Sequence, residues 1–152
     1  MSAMVESPLD RREVVARLLA RRDGLLVITG LGSPTYDVHA AGAWLGGKRS
    51  VLLLQSSGVG NCINMLSLMT IARFPLLMLV TMRGEWAEFN PWQVPMGLAT
   101  APVLTAMGIR VMRAETPRDL IETVESAATL AYEAEQQVAV LLSQRLLGAK
   151  KW

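Results

Sequence analysis

The chain contains little of what marks secreted, membrane or nucleic-acid-binding proteins. It has one cysteine, Cys62, among 152 residues, so no disulfide can form within it, and we predict a reducing, cytoplasmic location. Only 18% of the residues are charged and no basic stripe is visible, which argues against nucleic acid as a partner. The longest apolar run spans 75–80, too short for a bilayer, and the first residues lack the apolar core of a signal peptide.

Apolar residues, by contrast, are abundant. Hydrophobic types make up 51% of the sequence, the formal net charge is +2 and the mean hydropathy is +0.32. A chain of this length and composition predicts one folded domain, which we place over 1–152. Because the mean hydropathy is high for a small protein, we expect a partner subunit, either of another type or a second copy, to cover part of its surface.

Five short apolar segments alternate with segments of helical pattern. The apolar segments are 25–29, 51–54, 76–81, 109–112 and 138–142, and the helical ones are 7–22, 35–45, 61–73, 96–107 and a helix that Thr116 caps. Continuous apolar strands between helices are typical of a parallel sheet that is covered on both faces. The sequence therefore predicts a three-layer α/β/α fold with a mostly parallel sheet of about five strands, in an order that the pattern leaves open.

A run of glycines and small polar residues, QSSGVGN, follows the second apolar segment at 55–61. In a parallel sheet, ligands gather beyond the carboxyl ends of the strands, and glycines let a ligand approach the backbone. We therefore predict a loop here, with two interpretations: a tight strand-to-helix turn that Ser or Asn caps, or a binding loop for a polar ligand. The glycine spacing completes neither a P-loop nor G-x-G-x-x-G, which disfavours a nucleotide.

Three segments resemble one enzyme family. They are AGAWLGGKRSVLLLQSSGVGNCINMLSL (41–68), PLLMLVTMRGEW (75–86) and NPWQVPMG (90–97). They are similar to the alpha subunit of sulfopyruvate decarboxylase and to the matching half of phosphonopyruvate decarboxylase, which are thiamine-diphosphate enzymes. In this family the alpha chain is the pyrimidine-binding domain of a pair, and the resemblance covers nearly three-quarters of the chain.

The resemblance implies a set of site residues. The aminopyrimidine ring of the cofactor would lie beside residues that all come from the glycine-containing run: Gln55, Ser56, Ser57, Gly58, Gly60 and Asn61. The diphosphate and its Mg²⁺ would bind to a beta-type partner subunit, so the active site would form between subunits. The substrate would be a small anionic 2-oxo acid that contacts Gln93 and Arg83, with Glu85 as the arginine's ion-pair partner. The alternative for this segment is a structural ion pair beside a tryptophan-packed subunit contact.

The start of the chain departs from the alpha-subunit pattern. The family's activating glutamate would precede AGAWLGG, where this chain has SPTYDVH at 33–39 and no glutamate. Asp37 is the nearest acid and the only catalytic candidate, whereas His39 is expected to pack on a helix or lie at the surface. Residues 25–42 instead resemble the start of the beta subunit. We therefore divide the domain into an atypical 1–40 and an alpha-like 41–152, joined by a natural deletion or by engineering.

The sequence supports three hypotheses about function. The leading one is an alpha-type subunit of a thiamine-diphosphate-dependent 2-oxo-acid decarboxylase. The second is a non-catalytic assembly partner of such an enzyme, because the activating glutamate is missing. The third is a small-molecule-binding α/β domain that has no link to thiamine.

Overall fold

The computed structural model describes Gly24, 26–29 and 35–148, and its centre is a five-stranded parallel sheet. The strands are β1 (Leu26–Thr29), β2 (Ser50–Gln55), β3 (Leu76–Thr81), β4 (Arg110–Ala114) and β5 (Gln137–Leu142), in the order β1-β2-β3-β5-β4. Each neighbouring pair is parallel. The predicted fold class is confirmed, and the strand order that the sequence left open is defined.

Helices connect the strands. They are α1 (Thr35–Leu45), α2 (Ser56–Ala72), α3 (Val94–Ala106), α4 (Pro117–Tyr132) and the short α5 (Gln144–Leu147), with one 3-10 turn at Pro91–Gln93 ahead of α3. The first turn of α4 is closed by a capping box between Thr116 and Asp119, so its predicted cap is confirmed. Of the helices in the described part of the chain, none has the length and apolar character needed to cross a membrane.

The side chains of the strands alternate between two cores, one on each face of the sheet. Leu52 and Met78 pack with Leu66 of α2 in the first core. Leu77 and Val140 pack with α4 in the second core. Because successive residues of a strand point to opposite faces, the continuous apolar runs are buried on both sides, which gives the three layers.

The largest departure from the predicted elements lies at the glycine-containing run. The helix predicted to begin at Asn61 begins at Ser56, directly after β2, so the predicted loop at 55–61 is wrong. A glycine inside a helix costs only about 1 kcal/mol relative to alanine. Val59 and Cys62 are buried in the first core and offset that cost. The helix predicted over 7–22 lies outside the described residues.

Candidate functional site

The carboxyl ends of the central strands bring the predicted site residues to one edge of the sheet. Gln55 at the end of β2 is in register with Thr81 at the end of β3, and Thr81 is in register with Leu142 at the end of β5. The residues that follow these three strands are therefore close in space. This edge is where open parallel sheets bind ligands.

The first turn of α2 lies at this edge. Gln55 is its N-cap residue and makes no side-chain capping hydrogen bond. Its amide nitrogen instead donates to the hydroxyl oxygen of Ser57 over 2.6 Å, and both side chains are half-buried. Ser56 is fully buried and its hydroxyl oxygen accepts from the backbone N–H of Arg83 over 3.2 Å, which ties the start of α2 to the end of β3.

The two glycines of the run have helical backbones and lie in the first turns of α2. A Cβ atom built on Gly60 would come within 2.9 Å of the sulfur of Met96 in α3, a flexible side chain that could move aside. Gly58 is buried, and Asn61 is exposed on the next turn. The tight-turn and the ligand-approach arguments for glycine therefore do not apply to Gly60, which lies within a helix.

Arg83 follows β3 and makes a buried, two-pronged ion pair. Its Nε and Nη2 donate to the two carboxylate oxygens of Glu88, each over 2.6 Å. The side chains are only 6% and 4% exposed. The prediction that Glu85 pairs with Arg83 is therefore wrong. The partner is Glu88, the second glutamate of the segment that follows β3.

The carboxylate of Glu88 also accepts three further hydrogen bonds. Two come from the backbone N–H groups of Gly84 and Asn90, over 3.1 and 3.0 Å. The third comes from the side-chain amide of Gln144 over 2.9 Å. The hydrogen bonds from Arg83 outweigh burial, and together with the other donors they lower the pKa of Glu88 to about 2. Glu88 is therefore ionised throughout the neutral range.

Glu85 pairs with a different arginine, at the surface. Nη1 and Nη2 of Arg113 donate to its two oxygens over 2.7 and 2.8 Å, and Nε of Arg113 donates to Glu115 over 2.8 Å. The hydrogen bond with Glu85 is the main cause that raises the pKa of Arg113 above its ordinary value. The three carboxylates that follow strands at this edge, Glu85, Glu88 and Glu115, are therefore all paired with arginines.

Gln144 is a buried site residue that the sequence analysis missed. Its Oε1 accepts the backbone N–H groups of Glu85 and Trp86 over 3.0 and 3.1 Å. The sequence contained a signal for it, because Gln144 is a polar residue only two positions after the apolar run of β5 ends. Glu88 was missed as well, and nothing in RGEWAEFNPW distinguishes it from Glu85.

Gln93 ends the 3-10 turn, and the backbone around it is tightly packed. A Cβ atom on Gly84 would lie 2.3 Å from the carbonyl oxygen of Gln93, and one on Gly97 would lie 2.2 Å from the carbonyl oxygen of Arg83. Only glycine fits at either position. The Oε1 atom of Gln93 is buried and accepts no hydrogen bond from the described residues.

Asp37 and His39 both lie in α1, which precedes all the other site residues in the sequence. His39 is exposed, which agrees with the predicted position at the surface. The side chain of Asp37 lies outside what the structure describes. Within the described residues, no group of three or more His, Cys, Asp or Glu side chains could hold a metal ion.

The residues at this edge fit the binding of a polar ring better than its activation. Gln55 and Ser57 present amide and hydroxyl groups, which match the mixed donors and acceptors of an aminopyrimidine. The carboxylates described here are held by Arg83 and Arg113 and are not available to exchange a proton with such a ring. We therefore derive no chemical step through the cofactor from these residues.

Comparisons with known proteins identify relatives, although no family model matches the chain. It is 38% identical over 104 residues to sulfopyruvate decarboxylase subunit alpha of Methanothermobacter thermautotrophicus, which covers 68% of this chain and 63% of the relative. The corresponding protein of Methanococcus maripaludis is 36% identical over 102 residues, or 66% of this chain and 61% of the relative. Phosphonopyruvate decarboxylase of Streptomyces viridochromogenes is 43% identical over 67 residues, or 43% of this chain and 17% of the relative.

These findings confirm the resemblance that the sequence motifs indicated. The chain nevertheless spans less than two thirds of the length of the two alpha subunits it matches.

Proposed function

Because this chain is a relative of the sulfopyruvate decarboxylase alpha subunits, we propose that it is the alpha-type subunit of a thiamine-diphosphate-dependent 2-oxo-acid decarboxylase. The observation that carries the proposal is 38% identity to an alpha subunit over 104 residues. The substrate class is a small anionic 2-oxo acid such as sulfopyruvate or phosphonopyruvate. The partner is a beta-type subunit that binds the diphosphate and its Mg²⁺.

A charge-free helical surface supports the proposed partner. Neither α2 nor α3 contains a single charged residue, and the two helices pack side by side on one face of the sheet. Their outer side exposes large apolar side chains, among them Ile71 at 84% and Leu98 at 71%. Trp92 in the turn before α3 is 86% exposed. Surfaces of this kind mark contacts between proteins, so we place the beta-type subunit here.

Each site residue then has a role that its position allows. Thiamine diphosphate, when bound, supplies the electron sink for decarboxylation. Gln55 and Ser57 hold the polar edge of its ring, with Gly60 and Asn61 one turn further along α2, while buried Ser56 and Gly58 support them from below. On the substrate side, Gln93 and Arg83 are the proposed contacts of the 2-oxo acid, and the Nη1 group of Arg83 takes no part in its pair with Glu88.

Co-expression with a beta-type subunit tests this proposal. We expect a stable complex that releases carbon dioxide from sulfopyruvate or phosphonopyruvate only when thiamine diphosphate and Mg²⁺ are present. Calorimetry should show cofactor binding to the complex. A complex that neither binds the cofactor nor decarboxylates either acid would overturn the proposal.

A matched pair of variants tests the assigned ring contacts. Ser57→Ala removes the hydroxyl group that accepts from Gln55, and we expect about tenfold weaker cofactor binding from the loss of one or two polar contacts. Glu133→Gln changes an exposed residue at the end of α4, on the opposite face of the sheet from α2, and should leave the affinity unchanged. Equal affinities for the two variants would remove Ser57 from the site.

A further inference from the structure

The loop between β3 and α3, residues 84–93, is attached to the sheet from beneath by two buried side chains. Glu88 joins it to Arg83 through the two-pronged ion pair. Gln144, which follows β5 and is 3% exposed, accepts the N–H groups of Glu85 and Trp86 and donates to Glu88. One glutamate and one glutamine therefore satisfy much of the polar backbone of this loop.

The outer side of the same loop is aromatic and open. Trp86 is 46% exposed and Phe89 is 40% exposed, and Trp92 is the most exposed of the three. Trp92 therefore buries little apolar area against the domain, whereas Trp86 and Phe89 are each more than half buried, and the Phe89 ring lies 5.6 Å from the Arg83 guanidinium. The polar contacts below hold the backbone of the loop in addition to this partial aromatic packing.

We propose that Glu88 and Gln144 are positioning residues that hold the loop 84–93 in its binding conformation before any ligand arrives. For the substrate this inference rests on the function proposed above. Glu88 engages the Nε and Nη2 side of the Arg83 guanidinium, which fixes the orientation of the group and leaves Nη1 outside the ion pair. The same contacts hold Gly84 in place, and the backbone of Gln93 packs against Gly84.

A preformed loop has a measurable consequence. If a variant lowers the fraction of molecules with an ordered loop to one tenth, ligand binding must order it first, and the apparent affinity falls tenfold. The bound state is unchanged, so the chemical step is not slowed. A change in a residue that touches the reacting atoms would instead lower kcat.

Hydrogen exchange of the isolated chain tests the positioning directly. We compare Glu88→Gln and Gln144→Ala with Glu133→Gln, which alters an exposed pair with Arg49 on the other side of the domain. Amides in 84–93 should exchange at least tenfold faster in the first two variants, while those of β2 and β3 keep their wild-type rates. Loop exchange at the wild-type rate in both variants would overturn the inference. If Glu88→Gln fails to fold, Gln144→Ala, which keeps the ion pair, decides the outcome.

Kinetics of the assembled complex test the consequence for substrate. With sulfopyruvate, Gln144→Ala should raise KM about tenfold and change kcat less than threefold, while Glu133→Gln changes neither. A fall in kcat at constant KM would overturn the positioning role. If the wild-type complex shows no turnover, the proposed function fails, whereas the exchange measurement on the isolated chain still decides whether the loop is preformed.

Discussion

Two arginine–glutamate pairs anchor the same loop with nearly the same geometry but in different surroundings. Arg83 and Glu88 meet at 2.6 Å with side chains 6% and 4% exposed, whereas Arg113 and Glu85 meet at 2.7 Å with side chains 36% and 19% exposed. Geometry therefore does not distinguish the pairs, and burial does. Removing one partner of a buried pair leaves a charge that water cannot solvate, while water takes over at an exposed pair.

The surroundings also differ in what else each carboxylate holds. Glu88 accepts from Gly84, Asn90 and Gln144 as well as from Arg83. Glu85 accepts only one additional bond among the described residues, from the N–H of Gln144 over 3.3 Å. Glu88 thus makes most of the carboxylate hydrogen bonds that hold the loop, whereas Glu85 makes fewer and lies nearer the surface.

The largest expected effect comes from removing the buried carboxylate. Glu88→Ala leaves Arg83 charged and unpaired in the interior, and we expect the free energy of unfolding to fall by about 3–5 kcal/mol. Chemical denaturation of the isolated chain measures it. The matched change at the exposed pair, Glu85→Ala, should cost about 1 kcal/mol or less. Equal losses for the two variants would show that burial does not set the difference.

A double variant sharpens the same comparison. In many proteins a buried ion pair can be replaced by apolar residues at little cost. Here Arg83→Met with Glu88→Leu should remain destabilised by about 2 kcal/mol or more, because three donors lose their acceptor. Full recovery of stability in the double variant would mean that those three hydrogen bonds contribute little.

The next effect is a dependence of stability on pH to which the buried pair contributes. The pKa of Glu88 falls from an ordinary value of 4.5 to about 2 in the folded chain, chiefly through its hydrogen bonds with Arg83. A lowered carboxylate pKa stabilises the fold above pH 4.5, and that stability is lost as the pH falls toward 2, by about 3 kcal/mol in total.

Urea denaturation between pH 6 and pH 2 measures this loss. The Glu88→Gln variant has no group to titrate there, so its stability should fall less steeply than that of the wild type. Parallel curves for the two proteins would assign the acid sensitivity to other carboxylates.

The contrast between strands and loop explains what the sequence could predict. Strands such as β2 and β3 are continuous apolar runs that are buried along most of their length, and their pattern is local, so the α/β class followed from it. The pairing of β3 with β5 depends on contacts between residues about sixty positions apart, which no local pattern encodes. The strand order therefore had to come from the structure.

The candidate site shows the same limit in its side chains. Arg83 could be singled out because a charge directly follows an apolar strand, but its partner could not, since Glu85 and Glu88 are both close enough in sequence to reach it. The side chain of Glu88 is buried and accepts a hydrogen bond from Gln144, which lies 56 positions further along the chain, and no local pattern encodes that contact. The glycine-containing run was misjudged because glycines predict a turn locally, whereas burial of Val59 and Cys62 in the first core favours a helix.

The smallest expected effect concerns the exposed pair itself. Arg113→Ala removes both of its ion pairs, with Glu85 and Glu115, yet we expect a loss of no more than about 1 kcal/mol, because solvent screens charges at the surface. Screening by salt should shrink that loss further between about 0.05 and 0.5 M NaCl. The loss from Glu88→Ala should stay nearly constant over the same range, because ions do not reach a buried pair. Denaturation midpoints of both variants at the two salt concentrations test this, and an equal salt response would contradict the division of the two pairs by burial.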